Sequence, residues 1–454
     1  MLVRFVVSNY LSFGEETEFN MLTGAPRRFK EHVYQYGDLE LLKTAAIYGP
    51  NGAGKSNLVK AIKLLKDIVT GEEGVDQYSF EPFRLKGGTN EKPTHLEAEF
   101  ISEDVVYNYA IEILKNKITE EWLYKTGKNN DELIFQRSTK DGGTKIEASK
   151  QLITNEEDRL RFKLYEEEFL PDTKPFLNLL STAKRVFIDV KNAFEWFDEK
   201  IIIMAPDSKV HGIPLLFYFD HTYKEFVDEL ISSVKTGVSK VEMATVDIDR
   251  YFGLDDADQS ETIKQSLRNP DKNFEIIYEP DSKHVALAVE ENGKIVVKRM
   301  MAVHENSEGQ PFTFEIHEES DGTQRVLDFT VAFYEMVYSN KTVIIDEIDQ
   351  SIHPYLLKEL VAKFVNDPNT KGQLIFTTHE SNLLDQEIFR QDEIWFAEKK
   401  PSGETAFYPL SDFDIRYDLD IRKGYLNGRF GAIPFLGNFK DLKWDRYGAD
   451  KQAV

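Results

Sequence analysis

The hydrophobic pattern changes period several times along the chain. Near the N-terminus LVRFVVSNYLSF alternates and stops in a polar turn, and EETEFNML offers a second short strand. KTAAIYGP (43–50) is apolar, short and stopped by Gly49 and Pro50, which predicts a buried strand. NLVKAIKLLKDIV (57–69) then sets apolar residues at helical spacing. From 92 to 137 the runs THLEAEFI, VVYNYAIEIL, KITEEWLYK and LIFQR alternate, predicting an antiparallel meander.

Between 150 and 240 the period lengthens. FLNLLSTAKRVFIDVKNAFEWFDEKI and YKEFVDELISSVK read as helices, interrupted by Pro171, Pro175, Pro206 and Pro214. Sustained heptads are absent, so no long coiled coil is expected. The polar, acidic stretch 255–272 predicts a loop, and FEIIYE and GKIVVKRMMAV return to strand. After 320 helix and strand alternate through VLDFTVAFYEMV, TVIIDEID, YLLKELVAKFV, QLIFTTH and DEIWFAEK. That order predicts an α/β fold whose parallel sheet closes on the strand at 43–50. The expected organisation is an N-terminal lobe over 1–149, a mostly helical insertion over 150–300 and a C-terminal lobe over 301–454.

Composition narrows the function classes. Lys plus Arg total 56 against 79 Asp plus Glu, a formal charge of −23. That balance repels nucleic acid on average, so any such contact needs a local basic patch. The chain has no cysteine, which excludes disulfides, cysteine–zinc sites and thiol nucleophiles. No run of about 18 apolar residues occurs, so no membrane span is expected, and a cytoplasmic protein is the default.

Two motifs carry the chemistry. GPNGAGKS (49–56) fits G-x-x-x-x-G-K-[ST] between a predicted strand and a predicted helix. Its glycines let backbone N–H groups and the helix N-terminus face an anion. Asn51, Gly52, Ala53, Gly54, Lys55, Ser56 and Asn57 are the expected phosphate cradle. Lys55 would reach the β- and γ-phosphates, and Ser56 would ligate Mg²⁺. TVIIDEID (342–349) ends an apolar strand in Asp346 and Glu347, a costly pair without a cation nearby. Asp346 suits the metal shell, and Glu347 suits polarisation of the attacking water. His379 closes QLIFTTH; alone it reads as structural, but beside a P-loop it reads as a γ-phosphate contact.

In this order the motifs resemble those of ABC-type ATPases, in the branch of SMC and recombination-repair proteins. The resemblance makes VIIDE the second acidic motif and His379 the switch histidine. It puts Asp349 at the start of the D-loop, with Ser351 within it. EESDGTQR then becomes a signature motif, S-D-G-T-Q where transporters carry L-S-G-G-Q. Ser320, Gly322 and Thr323 would cap the γ-phosphate bound by the other protomer. ATP and Mg²⁺ are the implied cofactors, with Glu347, His379 and Lys55 in catalytic roles and Ser56 and Asp346 on the metal.

The ends of the chain, about 1–137 and 310–397, are further similar to stand-alone prokaryotic ABC-like ATPases of anti-phage defence and abortive infection, PARIS-type systems among them. NYLSF, PFRL, THLEAEF, YNYAIEI, EEWLY, ESDGTQR and YLNGRFGAIPFLGN carry that likeness. It implies a homodimer through composite ATP sites, or an assembly of such dimers. It also implies a separate effector, commonly with a TOPRIM-like nuclease core, and a phage protein as trigger.

Departures and competing readings remain. Leu11 stands where repair relatives often carry a basic residue, and Gln77 is the nearest candidate for a Q-loop. Arg27, Arg28 and Lys30, Lys184 and Arg185, and Arg422, Lys423 and Arg429 are either solvated surface or nucleic-acid contacts. An ATPase acting directly on DNA in repair is the main alternative. A self-contained nuclease would draw on Asp412, Asp414, Asp418 and Asp420, and a transporter ATPase is weaker still. The aromatics Phe194, Trp196 and Phe197 either meet a partner or pack the insertion's own core.

Overall fold

Six strands form the central sheet, in the order Ile201–Met204, Thr342–Ile345, Gln373–Thr377, Thr44–Tyr48, Ile394–Lys399 and Thr405–Pro409. The first five run parallel, and Thr405–Pro409 adds an antiparallel edge. The computed structural model describes residues 1–24, 28–128, 130–140, 143–210, 212–253, 256–278 and 285–433.

Side chains alternate across a strand, and here both faces are covered. Ala45 and Ile47 enter one core, Ala46 and Tyr48 the other. Ile344, Ile375, Trp395 and Ala397 join the first core, and Val343, Ile345, Leu374, Phe376, Ile394 and Phe396 the second. Strands buried on both faces read as unbroken apolar runs, which is why TAAIY and TVII stand out in the sequence. The first core lies under the helix Lys55–Thr70 and a seven-stranded antiparallel sheet. The second lies under the helices Asp321–Tyr338 and Pro354–Asn366.

The antiparallel sheet contains the expected meander, Thr94–Ser102, Val105–Leu114, Lys117–Lys125 and Glu132–Lys140, and extends it to Gly143–Ala148. Leu2–Ser8 and Thr17–Asn20 continue the sheet beyond Thr94–Ser102. Gln373 fastens it to the central sheet. Its buried amide oxygen accepts from Leu2 N–H at 2.8 Å and Thr342 Oγ1 at 3.0 Å, and its nitrogen donates to Leu2 O at 3.0 Å and Leu42 O at 3.2 Å. A buried amide with its oxygen and nitrogen both fully engaged specifies the register on each side.

The region 150–300 corrects the sequence reading. It is helical at first, but from 238 it becomes an antiparallel sheet of Val238–Asp247, Lys294–Glu305, Val285–Glu291 and Phe274–Tyr278, with Pro311–Glu315 added on Lys294–Glu305; of these, FEIIYE and GKIVVKRMMAV were expected as strands. Val238–Asp247 and Lys294–Glu305 are half-exposed and mix Lys, Glu and Thr with their apolar residues, so their alternation is blurred. Within 255–272, expected as a loop, the helix Ala257–Leu267 forms. The boundary at 149/150 falls inside the first core, since Leu152, Phe162 and Phe176 pack there. The strand Ile201–Met204 is an edge of the central sheet itself.

The aromatics of the insertion are likewise internal. Trp196 is 1% exposed and stacks on Phe100 with centroids 4.2 Å apart; Phe197 meets Phe100 and Tyr109 edge-on at 5.3 and 5.5 Å. Phe194 is half-buried against the same core. The reading of these rings as a partner surface therefore gives way to packing. Among the described residues, no helix is long and apolar enough to cross a membrane.

Trp196→Ala is expected to destabilise the protein by about 3–5 kcal/mol, the usual consequence of emptying an aromatic core position. A urea midpoint unchanged from wild type would show that the ring contributes little to this core.

Candidate nucleotide site

The strand Thr44–Tyr48 ends in the glycine loop, and the helix Lys55–Thr70 begins directly after it. Two glycines are required by shape. Gly54 has φ 108°, and a Cβ there would lie 2.1 Å from Thr405 Oγ1; Gly49 has φ 156°, with Ala397 O at 2.4 Å from such a Cβ. The loop is thus pressed against the last two strands of the sheet. Thr405 donates to the Ala53 carbonyl at 2.7 Å and lies 2.8 Å from Ser12 Oγ, which accepts from the Asn57 amide at 2.8 Å. Asn51 and Gly52 lie exposed at the tip.

Lys55 is buried at 5% exposure, with Nζ donating to the Gly49 carbonyl at 2.8 Å and lying 3.0 Å from His379 Nε2. Burial lowers its pKa to about 8, although Asp346, Glu347 and Asp349 pull the other way. His379 is also pushed down, by burial and then by the Lys55 charge, which favours the neutral imidazole. Ser56 Oγ donates to Asp346 Oδ1 at 3.1 Å. The hydroxyl of Ser56 and the carboxylate of Asp346 are hard oxygen donors side by side at a phosphate loop, a set that fits Mg²⁺.

The acidic turn is bonded to the neighbouring strand end. Thr377 Oγ1 donates to Asp346 Oδ1 at 2.5 Å and accepts from Glu347 N–H at 2.8 Å. Asp349 Oδ1 accepts from Thr378 Oγ1 at 2.7 Å and from His379 N–H at 3.2 Å. Lys55, Ser56, Asp346, Glu347, Asp349 and His379 therefore meet at the carboxyl ends of three adjacent strands, where open parallel sheets bind ligands. Sequence reasoning passed over Ser12, Thr377, Thr378 and Thr405. The Thr-Thr pair just ahead of His379 was the one available signal.

The turn 320–323 lies elsewhere in the chain's own network. Ser320 caps the helix Asp321–Tyr338 by accepting from Thr323 N–H at 3.2 Å, and its Oγ lies 3.0 Å from Thr323 Oγ1. None of these bonds reaches Lys55 or Ser56. A Cβ on Gly322 would come 2.8 Å from the Ser351 carbonyl, so the glycine lets this turn sit against the D-loop candidate.

Other candidates have different roles. Gln77 lies in a one-turn helix, its amide donating to Asp76 at 2.8 Å. Leu11 adopts φ 50° and donates its N–H to Glu81 O at 2.7 Å. Asp420 caps the helix Ile421–Leu426 through Lys423 N–H. Arg28 lies over Phe29 and Tyr417, Arg185 pairs with Asp158, and Arg429 lies over Phe430. Arg27, and the end of YLNGRFGAIPFLGN from 434 on, fall outside the described residues.

A family model described as "AAA domain, putative AbiEii toxin, Type IV TA system" matches residues 45–385. Among solved structures the chain is similar to the SMC head domain from Thermotoga maritima, at 13% identity and a TM-score of 0.36, covering 90% of this chain and 98% of that one. An SmcHead bound to the C-winged helix domain of ScpA is similar at 10% identity and a TM-score of 0.40, covering 90% and 97%. An Smc head domain with an extended coiled coil, bound to the C-terminal domain of ScpA from Pyrococcus furiosus, is similar at 12% identity and a TM-score of 0.34, covering 94% and 98%. No curated protein matches.

The lowered Lys55 pKa gives a signed expectation. A bound polyphosphate favours the ammonium, so above about pH 8 binding must take up a proton. ATP affinity should therefore fall as pH rises from 7 to 9, approaching about tenfold per unit at the alkaline end. Calorimetry in buffers of differing ionisation enthalpy should register the proton uptake. A flat affinity across that range would remove Lys55 from phosphate contact.

Proposed function

The chain belongs to this AAA domain family, and on that premise we propose that it is an ABC-type ATPase whose nucleotide-dependent dimerisation controls a separate effector in a defence system of the abortive-infection kind. The observation that carries the ATPase reading is the convergence of Lys55, Ser56, Asp346 and His379. Lys55 Nζ lies 3.0 Å from His379 Nε2, and Ser56 Oγ lies 3.1 Å from Asp346 Oδ1.

Each residue has a task in that reading. The glycine loop and the start of the helix Lys55–Thr70 bind the phosphates through backbone N–H groups. Lys55 leaves the Gly49 carbonyl for the β- and γ-phosphate oxygens. Ser56 and Asp346 would hold Mg²⁺, which when bound offsets the phosphate charge. Glu347 orients the attacking water and accepts its proton, and neutral His379 donates to the γ-phosphate. Ser320, Gly322 and Thr323 would complete the site of the opposite protomer, as the resemblance to ABC-type ATPases implies; within their own chain Ser320 and Thr323 bond each other and not Lys55 or Ser56.

The family model's description as an AbiEii toxin of a type IV TA system supports the defence role; a separate effector of TOPRIM type and a phage protein as trigger rest on the sequence resemblance alone. Direct action on DNA is disfavoured by the charge of −23 and by the engagement of Arg28, Arg185 and Arg429 within the chain.

Lys55→Ala should weaken ATP binding by about 10–100-fold, the range for losing a charge-assisted contact. Glu347→Gln should still bind ATP while hydrolysis falls by about 10²–10⁴-fold, the range for a general base. Wild-type turnover in either variant would overturn the assignment.

Dimerisation has its own test, because Glu347→Gln should accumulate a closed dimer with ATP, read by a cross-dimer distance probe. Adding Ser320→Arg should abolish closure without loss of ATP binding. Equal closure in both proteins would return residues 318–325 to being a helix cap.

A further inference from the structure

We propose that Thr377 is a positioning residue for the acidic pair, one buried hydroxyl setting both the carboxylate of Asp346 and the backbone of Glu347. This rests on the ATPase reading and adds to it a residue outside the P-loop and the acids themselves.

Thr377 ends the strand Gln373–Thr377 and is fully buried. A hydroxyl carries one hydrogen and two lone pairs. Here the hydrogen goes to Asp346 Oδ1 at 2.5 Å, and a lone pair accepts the Glu347 N–H at 2.8 Å. The Thr377 carbonyl then accepts from Ile348 N–H at 3.1 Å. Both N–H groups flanking the Glu347 Cα are therefore held by a single residue of the next strand.

What they hold is an uncommon conformation. Glu347 has φ 51°, in the left-handed region that residues with a side chain seldom occupy. Such a backbone persists where its surroundings over-determine it, and Thr377 supplies that restraint from both sides. The conformation sets the direction in which the Glu347 carboxylate leaves the strand end, hence where it meets water.

Asp346 is oriented by the same group. Ser56 Oγ donates to Oδ1 as well, at 3.1 Å. Two hydroxyls therefore converge on Oδ1, and no hydrogen bond to Oδ2 is found among the described residues, which would leave that oxygen available to a cation. The Thr377 hydroxyl acts on this carboxylate as outer partners act on metal ligands generally, by fixing which lone pairs are available.

Valine at 377 keeps the shape and removes both bonds. The P-loop, Lys55 and the signature turn do not touch this hydroxyl, so the effect should fall on turnover and metal binding, not on the grip on nucleotide. Thr377→Val should lower kcat by about 10–100-fold and weaken Mn²⁺, used in place of Mg²⁺ and titrated by electron paramagnetic resonance with ADP present, by a similar factor. KM and metal-free nucleotide affinity should stay at wild-type values. Thr377→Ser, which restores the hydroxyl, should recover both kcat and Mn²⁺ affinity.

Circular dichroism and a thermal melt monitor folding. If Thr377→Val does not fold, Thr377→Cys carries the same expectation, since a thiol has similar bulk but bonds weakly. Wild-type kcat and Mn²⁺ affinity in the variant that folds, or a serine variant as impaired as the valine, would overturn the proposal. If the unaltered protein hydrolyses no ATP, the ATPase reading fails, while the Mn²⁺ titration still decides whether Thr377 orients Asp346.

Discussion

Burial on both faces of the strand Thr44–Tyr48 is the constraint on which the rest of the molecule depends. Its alternating side chains serve two separate cores, so no functional group can project from its middle. Polar chemistry is confined to the strand ends, and the carboxyl end opens into the glycine loop. The next two strands on one side obey the same rule and release their polar residues at the same edge, Thr377 to His379 from the first and Asp346 and Glu347 from the second. The Lys55 ammonium is drawn into this edge at a desolvation cost that three nearby carboxylates do not fully offset. On the proposed reading, a polyphosphate would supply the missing negative charge.

The sequence displayed this site unevenly. The P-loop was legible because its glycines are forced by close approach, as at Gly49 and Gly54, and the forced spacing is itself the motif. Asp346 and Glu347 were legible because ionised groups at the end of a fully apolar strand are conspicuous. Thr377 was not, because a threonine in a strand satisfies β-propensity and gives no sign of what its hydroxyl touches. Past 238 the strands at FEIIYE and GKIVVKRMMAV were legible, but Val238–Asp247 was not, for a related reason: a half-exposed strand carries mixed polarity on both faces. For Trp196 and Phe197 the sequence left a partner surface and core packing both open, since aromatic content says nothing about which surface receives the rings.

A buried ion pair explains why the first part of the insertion cannot be treated as an independent body. Glu121 and Arg137 are fully buried on adjacent strands of the antiparallel sheet, 3.7 Å apart. Glu121 accepts from the N–H groups of Phe176 and Leu177 and from the Tyr109 hydroxyl. Arg137 donates to the carbonyls of Pro171 and Lys174. The pair thus grips the backbone of 171–177 from both charges, and losing either partner leaves the other stranded, typically at about 3–5 kcal/mol.

The central sheet also has a temporal side. Thr44 bonds to Leu374 across a separation of 330 residues, and both strands flanking Thr44–Tyr48 come from the late part of the chain. At ribosomal rates of about 5–20 residues per second, the glycine loop emerges on the order of 15–65 s before the strands that complete its edge. During that interval an apolar strand stands with both backbone edges open, a template for pairing with another nascent copy. On the proposed reading, the nucleotide site is complete only once the strands Gln373–Thr377, Ile394–Lys399 and Thr405–Pro409 have followed the glycine loop out of the ribosome.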